Sequence, residues 1–242
     1  MRGFMDLKLD KRLEWIKRKV EQANAKGLVF GLSGGIDSAV VAALAKRVFP
    51  ENSLGLIMPC ESIEEDEQDA RLIANSLNLK VEKVDLTSTY QALLKASFES
   101  KNPLARANIK PRLRMTSLYY YAQDLSYLVA GGSNASELYL GYFTKHGDSG
   151  VDILPIADLV KEDVFKLAKE LNIPEKIINR KPSAGLWKGQ TDEDEMGFSY
   201  REIDGHLKGE KINPDTLKRI KELNLRSEHK RAMAPSFSSE EE

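Results

Sequence analysis

The chain has 242 residues, and 36 Lys and Arg against 37 Asp and Glu leave a formal net charge of −1 although 30% of residues are charged. That balance gives no overall field to recruit nucleic acid, and the single cysteine, Cys60, excludes an internal disulfide framework and a Cys-rich zinc site. No apolar run approaches the ~18 residues of a membrane span, and the charged start from Asp6 has no signal-peptide core. The expectation is a soluble, cytoplasmic protein with neither nucleic acid nor membrane as partner.

The length suits one α/β domain over residues 1–242, with a frayed Ser/Glu tail over about 236–242. Residues 6–25 predict an amphipathic helix, with Leu9, Leu13, Trp15, Ile16 and Val20 near one face. A short apolar strand follows, Leu28 to Gly31, then the turn Leu32-Ser33-Gly34-Gly35-Ile36-Asp37-Ser38 and an alanine-rich helical pattern. Leu54 to Met58 reads as a second strand, about 65–76 as a helix, and Val81 to Val84 as a third strand. Next come a helix from Leu86 to about Ser100, a polar break at 101–103, and an aromatic-rich helix through Tyr119, Tyr120 and Tyr121. Ser126 to Ala130 reads as a fourth strand, and Gly131 to Glu137 as a second small-residue turn. Lys161 to Leu171 is a helix, 179–199 a long polar loop, and 200–207 and 214–223 are short helices. Alternating strands and helices predict an α/β doubly wound, mainly parallel sheet with helices on both faces. Ligands of such sheets sit beyond the strand C-termini, where the 33–38 turn and Met58-Pro59-Cys60 meet.

The turn after the first strand carries the chemistry. Its backbone N–H groups and the helix N-terminus converge on one point and suit a phosphate. Gly34 and Gly35 permit close approach, and Ser33 and Ser38 add hydroxyls. Asp37 would repel a phosphate unless a divalent cation lay between them, and Mg²⁺ is commonly held in this way. The motif is neither a Walker A loop, which needs Lys where Asp37 stands, nor a G-x-G-x-x-G fingerprint. The Ser-Gly-Gly-x-Asp-Ser turn resembles the pyrophosphate-binding loop of the ATP pyrophosphatases, which split ATP between its α and β phosphates.

Later segments narrow the resemblance. Asn108-Ile109-Lys110-x-Arg112-x-Arg114-Met115, Asn134-Ala135-Ser136-Glu137 and Gly141-Tyr142-Phe143-Thr144-Lys145-His146-Gly147-Asp148 look like ammonia-dependent NAD synthetase signatures. So do Pro182-Ser183-Ala184-Gly185-Leu186-Trp187, Gln190 to Gly197, and Glu228-His229-Lys230-Arg231. The resemblance covers about residues 10–235. It implies an adenine nucleotide alpha-hydrolase-like fold and a ligase that amidates deamido-NAD with ATP, Mg²⁺ and free ammonia through an acyl-adenylate. It also implies a homodimer.

Carried over residue by residue, it assigns ATP to Gly31, Leu32, Ser33, Gly34, Gly35, Ile36, Asp37, Ser38, Gly132, Lys161 and Ser183. Mg²⁺ falls to Asp37 and Glu137, and deamido-NAD to Arg112, Lys145, Asp152, His229 and Lys230. Asp148 and Lys161 are the catalytic candidates, Asp148 to hold ammonium or take its proton. Without the family, Glu137 is an acid complementing a helix start, Lys161 a surface residue, Asp148 an Asx-turn residue, and Arg112 and Arg114 a solvated helix face. Cys60 reads as core or pocket lining. Gly132 stands where many members carry Thr, so any contact there is made by backbone.

Other readings remain open. Another adenylating ligase with the same loop would want a dimerisation domain, as a GMP synthetase does, or paired cysteines, as a tRNA-thiolating enzyme does. A glutamine-dependent synthetase needs a glutaminase domain, for which these residues have no room. A nucleotide-sensing protein without turnover would keep the loop and lose catalysis.

Overall fold

The computed structural model describes residues 3–182 and 191–237. In chain order the elements are α1 (Gly3–Gln22), β1 (Gly27–Gly31), α2 (Ile36–Val48), β2 (Ser53–Ile57), α3 (Glu64–Ser76), β3 (Lys80–Lys83) and α4 (Thr87–Ala96). There follow α5 (Pro103–Ala107), α6 (Ile109–Leu125), β4 (Tyr127–Val129), α7 (Ala135–Leu140), α8 (Lys161–Glu170) and α9 (Glu175–Ile178). The described chain closes with α10 (Asp192–Met196), α11 (Tyr200–Leu207), α12 (Pro214–Arg226) and α13 (Glu228–Arg231).

The sheet has the order β3-β2-β1-β4 with every pairing parallel. Parallel neighbours cannot be joined by hairpins, so each connection crosses a face of the sheet. α2 and α3 cover one face, joined by α1 and α8, and the α4–α6 layer covers the other. The period-2 alternation of β1 decides what each face receives. Leu28 and Phe30 enter the core with α2 and α8, while Val29 enters the second core with Leu118 and Ala122 of α6. α2 is alanine-rich because it is crowded on all sides; Ala39, Val40, Ala42 and Leu44 have no exposed surface. The expected doubly wound parallel sheet is therefore found.

The chain passes from β1 to β4 only after β2 and β3 have been laid on the opposite side. This reversal opens a crevice between the loops after β1 and β4. Beyond β4, Ala130 makes a parallel bridge to Ile153, extending the sheet edge.

Several boundaries differ from the sequence expectations, each for a local reason. The helix expected over 86–100 stops at Ala96, and Asn102 caps a new short helix, α5, with Pro103 at its first position. Ser126 takes a left-handed conformation (φ 58) as the cap of α6, so β4 starts one residue later than expected. Within the expected 179–199 loop, Thr191 caps a turn of helix, α10, whose first turn is acidic and complements the dipole. The Ser183–Trp187 motif segment and most of the expected frayed tail lie outside the described residues. Among the described residues, no helix is long and apolar enough to cross a membrane.

Candidate active site

A cavity of about 530 Å³ opens at the C-terminal edge of the sheet, between the loops after β1, β2 and β4. The turn after β1 forms its floor. Gly34 has φ +85, and a Cβ there would lie 2.7 Å from the Asp66 carbonyl oxygen and 2.9 Å from Asp69 Cβ. Glycine is thus required both by the backbone conformation and by α3 packing on the turn. The two hydroxyls fold back on the loop. Ser38 Oγ donates to the Gly35 carbonyl (2.8 Å), and Ser33 Oγ accepts from the Gly35 N–H (3.3 Å). α2 begins at Gly35 without a side-chain cap, which leaves its first N–H groups to the cavity. Gly31, Leu32, Ser33, Gly35, Ile36, Asp37, Ser38 and Gly132 all line it. Gly34 does not, because it faces α3.

The turn after β4 brings the acidic partner. Asn134 and Glu137 form a reciprocal capping box at the start of α7: Asn134 Oδ1 accepts from the Glu137 N–H (3.0 Å), and Glu137 Oε2 accepts from the Asn134 N–H (3.3 Å). The Asn134 amide also donates to Asp37 Oδ1 at 2.9 Å. One fully buried asparagine thus holds the outer oxygens of both carboxylates. Their other oxygens meet Lys161, whose Nζ is 2.6 Å from Asp37 Oδ2 and 3.3 Å from Glu137 Oε1.

Lys161 is 2% exposed, which corrects its reading as a surface residue. It opens α8, where a cation is disfavoured by the dipole. Asp204 offsets that cost by accepting from the Lys161 and Glu162 N–H groups. Ser136 donates to the same Asp204 at 2.6 Å, locking α7, α8 and α11 together. Burial pulls the Lys161 ammonium down, but Asp37 and Glu137 outweigh it and hold the ammonium above its ordinary value. Burial pushes the Glu137 carboxyl well up, opposed by Lys161 and reinforced by Asp37 and Asp192.

The sequence reading left Asp192 and Tyr200 without roles. The Tyr200 hydroxyl donates to Asp192 Oδ2 (2.9 Å) and lies 3.5 Å from Glu137 Oε1, with its ring 4.9 Å under the Lys161 ammonium. Asp192 is 4% exposed and lines the cavity, and its Oδ1 has no hydrogen-bond partner among the described residues. Arg114 was also misplaced, as a solvated residue. It lines the cavity, and Nε donates to the Met58 carbonyl (3.1 Å) while Nη2 donates to Ser62 (3.2 Å). An acid in the Gln190 to Gly197 motif of the expected 179–199 loop and an Arg within the 108–115 motif were the available signals, and neither distinguishes burial from exposure. Cys60 is 1% exposed in the core with Leu86 and Tyr90, as expected.

The positions carried over for the dinucleotide divide. Arg112 donates from Nε and Nη2 to the Lys145 carbonyl, Lys145 Nζ donates to the His229 carbonyl, and Lys230 Nζ donates to the Gly141 (2.8 Å) and Phe143 (2.9 Å) carbonyls. These four residues surround the 141–148 loop at the rim, and only Lys230 lines the cavity. Asp152 stands apart. Its oxygens accept from Tyr119 (3.0 Å) and the Val129 N–H (2.8 Å) at the sheet edge. Asp148 Oδ1 accepts from the Thr144 N–H four residues back (2.9 Å), so it closes the 144–148 loop and is not the Asx-turn residue expected, and Asp148 also lines the cavity. Ser183 lies outside the described residues.

Known proteins are similar to this chain in sequence and in fold. The chain is 54% identical over 236 residues to the NH(3)-dependent NAD(+) synthetase of Carboxydothermus hydrogenoformans, covering 96% of this chain and 97% of that one. Among solved structures, an NMN synthetase from Francisella tularensis matches with TM-score 0.92 and 41% identity, covering 96% of this chain and 97% of that one. An NH3-dependent NAD synthetase from Campylobacter jejuni, in complex with the nitrate ion, matches with TM-score 0.83 and 33% identity over 96% and 99%. The family model described as NAD synthase matches residues 8–234. With the β1 turn, the Asn134–Glu137 cap and the buried Lys161 all inside that span, the chain belongs to the NAD synthase family.

Proposed function

We propose that this protein is an ammonia-dependent NAD synthetase, a ligase that converts deamido-NAD, ATP and ammonia to NAD, AMP and pyrophosphate. The observation that carries the reading is the meeting, at one sheet edge, of an anion-binding turn with the Asp37–Glu137–Lys161 cluster. The nicotinate carboxylate attacks the ATP α-phosphorus, the bond to the bridging oxygen breaks, and pyrophosphate leaves. Ammonia then attacks the acyl carbon, AMP departs with the bonding pair, and a base takes the surplus proton. The free N–H groups of the turn and the Lys161 ammonium face the phosphates, where charge grows on the leaving group. Ile36, Ser38 and Gly132 shape the nucleotide floor, Arg112, Lys145, His229 and Lys230 hold the dinucleotide at the rim, and Asp148 receives ammonia.

Asp37 and Glu137 suit Mg²⁺, because each directs one carboxylate oxygen to a common cation position while Asn134 takes the other. Bound there, Mg²⁺ would supply Lewis-acid charge stabilisation to phosphate oxygens. Asp152 sits outside the cavity, which fits a homodimer whose dinucleotide lies near the subunit interface. The described residues work as one synthetase domain that takes free ammonia, in the cytoplasm.

The test is an assay with ATP, Mg²⁺ and deamido-NAD, supplied with ammonium or with glutamine. NAD made with ammonium alone, with AMP and pyrophosphate in equal amounts, is the expected outcome, and no NAD from either donor would overturn the reading. A second reading rests on the match to the NMN synthetase, higher than that to the NAD synthetase structure. On it, the acid amidated is the mononucleotide corresponding to NMN. Competing the two acids against each other decides, and the larger kcat/KM is expected for the dinucleotide.

A further inference from the structure

The way Lys161 is held bears on how cation and nucleotide enter together. Its ammonium occupies the one point where the inner oxygens of Asp37 and Glu137 converge, at 2.6 and 3.3 Å. Asn134 fixes the outer oxygens, so neither carboxylate is free to turn away. A third carboxylate, Asp192, adds charge to the same pocket and keeps a buried Oδ1 without a partner among the described residues. Three acids share one lysine there. The lysine stem is long and flexible, and its head is a compact point charge that can serve either carboxylates or phosphates.

We infer that Lys161 holds the divalent cation's place in the nucleotide-free protein and yields it only when ATP phosphates arrive to receive the ammonium. The inference rests on the reading above that Asp37 and Glu137 are the metal carboxylates. The reason is energetic. A metal ion entering alone would push a buried ammonium away from both its partners, and a buried unpaired charge is costly. Phosphate oxygens remove that cost by pairing with Lys161. Metal and nucleotide are then coupled, each raising the affinity of the other by the same factor. The protein avoids holding a bare metal in an empty site, and the ammonium is delivered to the phosphates as a consequence of metal entry.

The test uses Mn²⁺ as the probe, with free Mn²⁺ followed by electron paramagnetic resonance, in the presence and absence of the non-cleavable α,β-methylene analogue of ATP. Without nucleotide, Lys161→Gln should bind Mn²⁺ at least about tenfold more tightly than wild type. Lys161→Arg, which keeps the cation, should exclude Mn²⁺ as wild type does. Removing Asp37 as well (Asp37→Asn in the Lys161→Gln background) should abolish the gained site. Circular dichroism confirms that each variant is folded. Wild-type protein supplies an arm independent of any variant: tight Mn²⁺ binding without nucleotide would overturn the inference. Mn²⁺ bound by wild type with the analogue, and no more tightly by Lys161→Gln without it, would overturn the inference alone. Absence of protein-bound Mn²⁺ in every arm would overturn the metal reading together with it.

Discussion

Asp192 and Asp148 are both cavity carboxylates, but their surroundings assign them different tests. Asp192 is buried, and burial pushes its carboxyl above the ordinary value, opposed by the Tyr200 hydrogen bond, Lys161 and Tyr142. A folded-state value raised above the unfolded one means that the folded protein keeps the proton over a wider pH range. Stability from this group is then greatest below the unfolded value, near pH 4, and is lost as pH rises through the folded value. Asp192→Asn does not titrate and can still accept from Tyr200. Its melting temperature should match wild type at about pH 4 and exceed it at neutral pH, as thermal denaturation across pH would show. A variant less stable at neutral pH would mean that the charge is already balanced. Asp148 stays open to solvent through the cavity mouth, so its test is kinetic. Asp148→Asn keeps the oxygen that accepts from Thr144, so the loop stays folded. The ammonia KM should rise by about ten- to a hundredfold while deamido-NAD-dependent exchange of pyrophosphate into ATP persists. An unchanged ammonia KM would remove Asp148 from the reaction.

At the scale of elements, the docking of the C-terminal helices on the 141–148 loop is the contact most sensitive to one atom. Gly141 has φ +65, and a Cβ there would lie 2.1 Å from Ser227 Cβ, at the junction of α12 and α13. Lys230 and Arg231 then reach back to the carbonyls of Gly141, Phe143 and Tyr139. Gly141→Ala should cost about 1–3 kcal/mol from backbone strain and displacement of α13. It should lower the melting temperature by several degrees and raise the deamido-NAD KM more than the ATP KM, because the moved residues belong to the rim. Equal changes in both constants would show that the effect is general loosening. α3 is tied down in the same fashion. Arg180 bridges Asp66 and the fully buried Asp69, which keeps Lys176 as a second partner, so Arg180→Ala should destabilise the fold by about 1–3 kcal/mol, read as a lowered denaturant midpoint.

Over the whole molecule, exposed large apolar side chains occur at α3 (Ile63, Leu72), along the C-terminal segment (Leu225, Met233, Phe237) and on the α4–α6 layer. Leu93, Phe98, Leu104 and Tyr120 are all exposed on the α4–α6 layer, the side that also carries Tyr119 and Asp152. The homodimer proposed above would bury this surface. Light scattering should give twice the chain mass, and Phe98→Glu with Tyr120→Glu should give a folded monomer with weakened deamido-NAD binding. A wild-type monomer with full activity would sink the dimer.

How much of this was legible from residues alone depends on the range of the interaction. Element types, the parallel sheet and the nucleotide turn are local or periodic matters. Alternation in β1, the alanines of α2, and Gly34 before a helix start declare themselves within a dozen residues, because sterics and hydrogen bonding act on neighbours. The pairing of Asp37 with Glu137 was reached through resemblance and not through spacing. What only tertiary structure decided was the electrostatic state of the site. Lys161 and Asp192 look like ordinary charged residues in sequence, yet packing of α7, α8, α10 and α11 takes them out of water and sets them against one another. Burial depends on contacts between distant segments, and a charge acquires its meaning from the dielectric and the partners that those contacts supply.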